Sequence, residues 1–177
     1  SIRRQRQMCI RDSASAASLT VSGTSNLGAN VTTSGTQTYT GAVTVSDANR
    51  TLSSSNNQIT FSDIVNSAAT ETRGLALNVG ASEVEFNGVV GGATDGGLGA
   101  ITITGNLDLN ANIAQAASLS VSGTSNLGAN VTSSGAQTYD SPIELSSNVT
   151  LSMGASSTAS GVISGAFNFV KAGSGTL

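Results

Sequence analysis

Residues 16–40 read AASLTVSGTSNLGANVTTSGTQTYT, and residues 116–140 read AASLSVSGTSNLGANVTSSGAQTYD. The two stretches stand 100 residues apart and differ at only four of 25 positions: 20/120, 33/133, 36/136 and 40/140. Two of these changes exchange Thr for Ser, one exchanges Thr for Ala and one Thr for Asp. Identity at this level marks an internal duplication, and self-similarity at a fixed offset is the signature of repeat architecture.

A shorter period runs inside the long one. Segments in which apolar and polar residues alternate recur as LTVS (19–22), QTYT (37–40), ITFS (59–62), VEFN (84–87), ITIT (101–104), LSVS (119–122) and QTYD (137–140). Alternation marks strands with one buried face. Their central apolar residues are Val21, Tyr39, Phe61, Phe86, Ile103, Val121 and Tyr139, spaced 18, 22, 25, 17, 18 and 18 residues apart. A period near 20 residues predicts one coil of a parallel β-helix, so these seven residues are expected to form a single core ladder. Residues 63–73 and 91–98 then read as loops bulging from single coils. A β-sandwich or antiparallel barrel would show hairpin dipeptides at short intervals, and Asn87-Gly88 is the one example. The Thr, Asn and Gly content, without a 3.6-residue period, excludes a helical solenoid.

Composition agrees with stacking. Charged residues make up 10% of the chain and aromatic residues 3%, against a usual charged share of about 25%. Val, Ile and Thr recur throughout, which favours strands over disorder. A single coil of such a chain buries too little apolar surface to offset the entropy of ordering it, so coils must stack. The first thirteen residues, SIRRQRQMCIRDS, stand outside the pattern and hold four of the seven cationic residues and the only cysteine, Cys9. They resemble a translated sequencing-adapter remnant, so 1–13 are expected to be a non-native, disordered segment. A genuine basic arm facing nucleic acid or membrane phosphates is the competing reading. No apolar stretch follows that would complete a signal peptide. Residues 14–177 are expected to be one β-solenoid fragment, cut within a strand phrase at its C-terminus, with Arg50, Arg73 and Lys171 set against nine acidic residues. No run of about 18 apolar residues exists to span a bilayer as a helix.

Two phrases resemble known families. Gly135-Ala136-Gln137-Thr138-Tyr139 with Ile143 and Leu145, and Gly35–Tyr39 with Val43 and Val45, resemble the repeats of filamentous-haemagglutinin-like adhesins. The C-terminal SGVISGAFNFVKAGSGTL (160–177) is similar to the passenger-associated repeat of autotransporters. Gly161, Ile163, Gly165, Val170, Lys171, Gly173, Gly175, Thr176 and Leu177 sit in the matching places, while Phe167 and Phe169 depart from the pattern. The resemblance implies an all-β, right-handed parallel β-helix on an extracellular or outer-membrane-associated bacterial protein. It also implies an adhesive or spacing role, with cell-surface glycans or matrix as partners and an anchoring barrel or secretion partner outside this chain.

Chemistry has little to work with. There is no His, and no catalytic, cofactor or metal residue is assigned, so no enzyme, no cofactor and no nucleic-acid partner are expected. Glu83 and Glu85 share a strand face and could act as a paired-carboxylate acid and base, but a solvated outer face is the simpler reading. GGATDGG (91–97) is similar to one imperfect copy of a calcium-binding nonapeptide. Asp95 alone cannot supply the six or more oxygens calcium takes, so a loop tip is expected. The hydroxyls flanking the ladder form the most suggestive surface. Thr38, Thr40, Thr102 and Thr104 are expected to stack in outward rows as a possible binding face, either for sugars or, less aptly, for ice. The plain alternative is a solvated strand, since Thr favours strands anyway. Four N-x-T sequons, at Asn30, Asn49, Asn130 and Asn148, either accept glycans or reflect Asn ladders at turn positions.

Overall fold

A computed structural model describes residues 15–94 and 96–177; the N-terminal segment and Asp95 lie outside the described residues. The chain is all-β, its strands run parallel, and they stack as a β-solenoid of about eight turns. Each turn crosses three faces, most of them with a short strand, so the cross-section is triangular. On the first face, Leu19–Val21, Gln37–Tyr39, Ile59–Phe61, residues 84–86 and 107–109, Ser125–Leu127, Ile143–Leu145 and Ile163–Ser164 pair in that order. The second face begins Ser25–Leu27, Val43–Val45, Val65–Ser67 and continues through Val90 and Ile113 to Val131–Ser133, Val149–Met153 and Phe169–Ala172. The third runs from Ser15–Ala16 through Val31–Thr33, Arg50–Ser54, residues 75–78, 101–104 and 119–121 to Gln137–Tyr139 and Thr158–Ala159. Registered partners on the first face set coils of 18, 22, 25, 23, 18, 18 and 20 residues. At about 4.8 Å per coil the stack is about 34 Å tall.

Three-residue strands explain the alternation. In Val43-Thr44-Val45 both valines point inward and are buried, and the threonine between them faces out. Inside, residues of successive coils lie over one another as columns. Tyr39, Phe61 and Phe86 stack with ring centroids 5.2 and 5.1 Å apart and interplanar angles of 10° and 15°. The spacing of the coils thus matches an offset aromatic stack, which adds to the burial of three large side chains.

The expected single core ladder divides between two faces. Val21, Tyr39, Phe61 and Phe86 do form one column, but it continues into Leu109, Leu127 and Leu145. Ile103, Val121 and Tyr139 belong to the third face, above Val31, Leu52 and Leu77. The physical reason is that strand Leu98–Leu109 passes a corner at Gly105-Asn106 without ceasing to be strand. It offers two apolar pairs, Ile101/Ile103 and Leu107/Leu109, and the second of them lies over Phe86. Gly105, at φ 135°, supplies the bend, and a Cβ there would lie 2.3 Å from a Val79 methyl carbon.

The duplication is therefore rotated. Leu19–Val21 lies on the first face and its copy, residues 119–121, on the third; Ser25–Leu27 lies on the second and Ser125–Leu127 on the first. The copy stands fourteen strand segments further along, which at three per turn is four turns and two thirds.

Two devices carry the stack round its corners. Asn side chains at turns accept backbone N–H bonds from the next coil: Asn30 Oδ1 from Thr51 at 2.9 Å, Asn49 from Gly74 at 2.8 Å, Asn130 from Thr150 at 2.7 Å and Asn148 from Asn168 at 3.0 Å. Asn56, Asn66, Asn106 and Asn112 do the same. The second device is a buried glutamine. Gln37 Nε2 donates to Thr33 Oγ1 at 3.1 Å and to Ser53 O at 2.8 Å, while its Oε1 accepts from Tyr39 OH at 3.1 Å. Gln137 repeats this with Ser133 Oγ at 3.2 Å, Ser152 O at 2.9 Å and Tyr139 OH at 3.2 Å. Both glutamines and both tyrosines are 0% exposed, so these bonds answer polar groups that water cannot reach.

Candidate functional surface

The four threonines read as a binding face do not share one. Thr38 lies on the first face in register with Thr20 and Thr60, and Thr40 follows at the next corner, its N–H donating to Val21 O at 2.9 Å. Thr102 and Thr104 lie on the third face, registered with Ala76 and Asn78 below, and Ser120 stands above Thr102. The expected hydroxyl row breaks where the expected core ladder breaks. What remains is two shorter runs: Thr20, Thr38 and Thr60 on one face, and Thr102, Ser120, Thr138 and Thr158 on another.

Charge is unevenly spread over these faces. Beyond Thr60 the outward row of the first face becomes Glu85, Asp108, Asn126 and Glu144. The outward row of the third face from Thr51 to Thr158 carries no charge. Glu83 and Glu85 do share a strand, and Gln58 Nε2 donates to both, at 3.0 and 3.2 Å, while Thr60 Oγ1 donates to Glu85 at 3.2 Å. The donors that hold these carboxylates are neutral, an amide and a hydroxyl. Glu71 and Arg73 pair on the connection between the second and third faces, Nε to Oε2 at 3.1 Å. The hydrogen bond from Arg73 holds the Glu71 carboxyl below the ordinary carboxylate value and raises the Arg73 guanidinium. Both side chains are substantially solvated, so the pair fastens a loop weakly. Among the described residues no group of three or more His, Cys, Asp or Glu is placed to hold a metal ion. Among them, too, no helix is long and apolar enough to cross a membrane.

Several residues carry roles that patterning alone did not assign. The four sequon asparagines sit at corners with their Oδ1 atoms bonded to the next coil, so the N-x-T phrase records a corner Asn, an inward Val or Leu one or more places on, and an outward Thr. Gln37 and Gln137 are polar and yet belong to the interior. Their signal was the intact repetition of the Ser-Gly-x-Gln-Thr-Tyr phrase in both copies. Burial pushes the Tyr39 and Tyr139 hydroxyls up from the ordinary tyrosine value, as expected when the charged phenolate would have to sit in an apolar interior.

The fold and its surface define a β-helix repeat protein. No family model, curated protein or solved structure matches the chain.

Proposed function

We propose that this chain is part of the extended passenger or stalk of a secreted or surface-displayed bacterial adhesin, where it mediates or spaces attachment to a cell surface. The observation that carries the reading is the continuous stack itself: about eight coils of one triangular section, with columns of buried side chains running from Leu27 to Met153. Such a design converts sequence into length, and each added coil lengthens the rod by about 4.8 Å. The adhesin-like phrase Gly135–Tyr139 supports it, because its Gln and Tyr are the buried corner that the architecture uses twice. The autotransporter-like phrase at 160–177 supports it in the same way, supplying the last described strands, Ile163–Ser164 and Phe169–Ala172. Partners in this reading are cell-surface glycans or matrix, the setting is extracellular, and an anchor or secretion partner is supplied from outside this chain. A reading as a surface active on ice would need one uninterrupted hydroxyl row, and the two threonine pairs stand on different faces.

The test is adherence. Beads coated with the chain are scored against host cells, matrix proteins and immobilised glycans. Saturable binding to any of them is the expected result. A chain that binds none of them is a passive spacer, and the attachment function falls.

A further inference from the structure

At the corner between the second and third faces the connections lengthen in successive coils, to 46–49, 68–74 and 91–97. In the next coil the chain crosses the same corner as part of one unbroken strand, Ile113–Val121. The loops therefore overhang a stretch built from small residues. The result is a groove with a volume of about 320 Å³. Ala114, Ala116 and Ala117 give it apolar surface, and the exposed Thr72, Gln115 and Thr132 bring hydroxyls and an amide. None of the described residues that line it is charged. Gly97 fixes how close the loop comes: a Cβ there would stand 3.1 Å from Gln115 Oε1 and 3.3 Å from Gln115 Cβ. A Cβ at 97 would require the Gln115 side chain to give way slightly.

We propose that this groove binds an uncharged saccharide unit, a terminal sugar and not a long polymer segment. The volume lies at the small end of the range of about 300–1,000 Å³ for small-molecule sites. Apolar surface with a few convergent neutral hydrogen-bonding groups suits a sugar ring, whose C–H face lies on methyl groups while its hydroxyls meet Thr and Gln. The charges beside Thr72, on Glu71 and Arg73, are paired with each other, so an acidic or cationic ligand finds no free counter-charge among the described lining residues. The inference rests on the attachment reading and gives it a ligand class.

The experiment is a glycan array carrying neutral, sialylated and sulfated glycans, probed with the full chain, with hits measured by titration calorimetry. Ala117→Trp, at an exposed position, fills the groove and is expected to abolish binding. Gln115→Ala is expected to weaken it about tenfold. Unchanged circular dichroism and unfolding midpoints confirm that both variants are folded. Neutral-glycan binding that survives Ala117→Trp overturns the groove, as does binding confined to charged glycans or binding to no glycan at all. Adherence to cells, measured on the same variants, separates the two ideas. Cells held equally by Ala117→Trp sink the groove and leave attachment standing, whereas a wild-type chain that holds neither cells nor glycans sinks both.

Discussion

Replacing Gln137 with leucine tests whether the buried corner holds the coils together. The side chain is 0% exposed, and leucine is close enough in size to leave no large cavity. The loss is therefore one of hydrogen bonds. Tyr139 OH loses its acceptor at 3.2 Å, and Ser152 O, in the next coil, loses a donor at 2.9 Å. Each buried polar group left without a partner costs about 1–3 kcal/mol, so Gln137→Leu is expected to cost about 2–6 kcal/mol. The double variant Gln137→Leu/Tyr139→Phe removes the orphaned hydroxyl as well and should recover about 1–3 kcal/mol of that. Gln37→Leu breaks the same bonds at Tyr39 OH and Ser53 O, on different faces of the prism, and should cost the same within about 1 kcal/mol. Urea unfolding followed by far-UV circular dichroism measures all three. A single-variant cost below about 1 kcal/mol, or a double variant no more stable than Gln137→Leu, refutes the reasoning.

Ser125 is 1% exposed, its hydroxyl has no hydrogen-bond partner, and it lies between Leu107 and Ile143 in an apolar column. Ser125→Val should therefore raise stability by about 1 kcal/mol or more, and a loss in the same urea titration would contradict it. The raised Tyr39 and Tyr139 values fix an alkaline limit. Their contribution is fully present below the unfolded value near pH 10 and declines above it, by about 1.4 kcal/mol per pH unit for each tyrosine. Stability that stays level from about pH 9 to about pH 11.5 would rule this out, and the Tyr39→Phe/Tyr139→Phe chain should lack the decline. Deleting residues 125–142 removes one whole coil, because Ser125 is registered with Ile143. The shortened chain should keep its β spectrum and lose about 4.8 Å of length by small-angle scattering, and a coil spectrum would overturn the stacking register.

Much of the fold was legible because alternation is a local property. Any inward pair such as Val43 and Val45, or Leu107 and Leu109, announces its strand whatever lies above it. Which pair lies over which is not local. Phe86 could be followed by Ile103 or Leu109, and the choice depends on where a continuous strand bends. Leu75–Phe86, Leu98–Leu109 and Ile113–Val121 all pass a corner while still reading as strand, so the interruption between strands that marks corners elsewhere is missing there. The candidate face failed for the same reason, since a row of outward residues is only as sound as the register of the inward residues between them. The buried glutamines were hidden by their polarity, because nothing in Gln37 itself says that a tyrosine hydroxyl and a carbonyl from the next coil will satisfy it.

The rotated duplication shows what the repeated sequence specifies. The same 25 residues serve on different faces, so they cannot encode a face. They encode inward pairs and the chemistry of the corners between them. Asn30 and Asn130 lie at different corners of the prism and make the same bond, each to a backbone N–H in the coil above. Gln37 and Gln137 close the same network on different faces, and even the unpartnered hydroxyls of Ser25 and Ser125 are copied. An inward position is thus determined by its neighbours along the chain and tolerates either face. An outward position is determined by nothing in the fold except that it be solvated. Duplication therefore preserves the interior of the copied coils and turns their surface to a new direction. Thr38 and Thr138 keep the same adjoining Gln and Tyr, yet one stands on the first face and the other on the third.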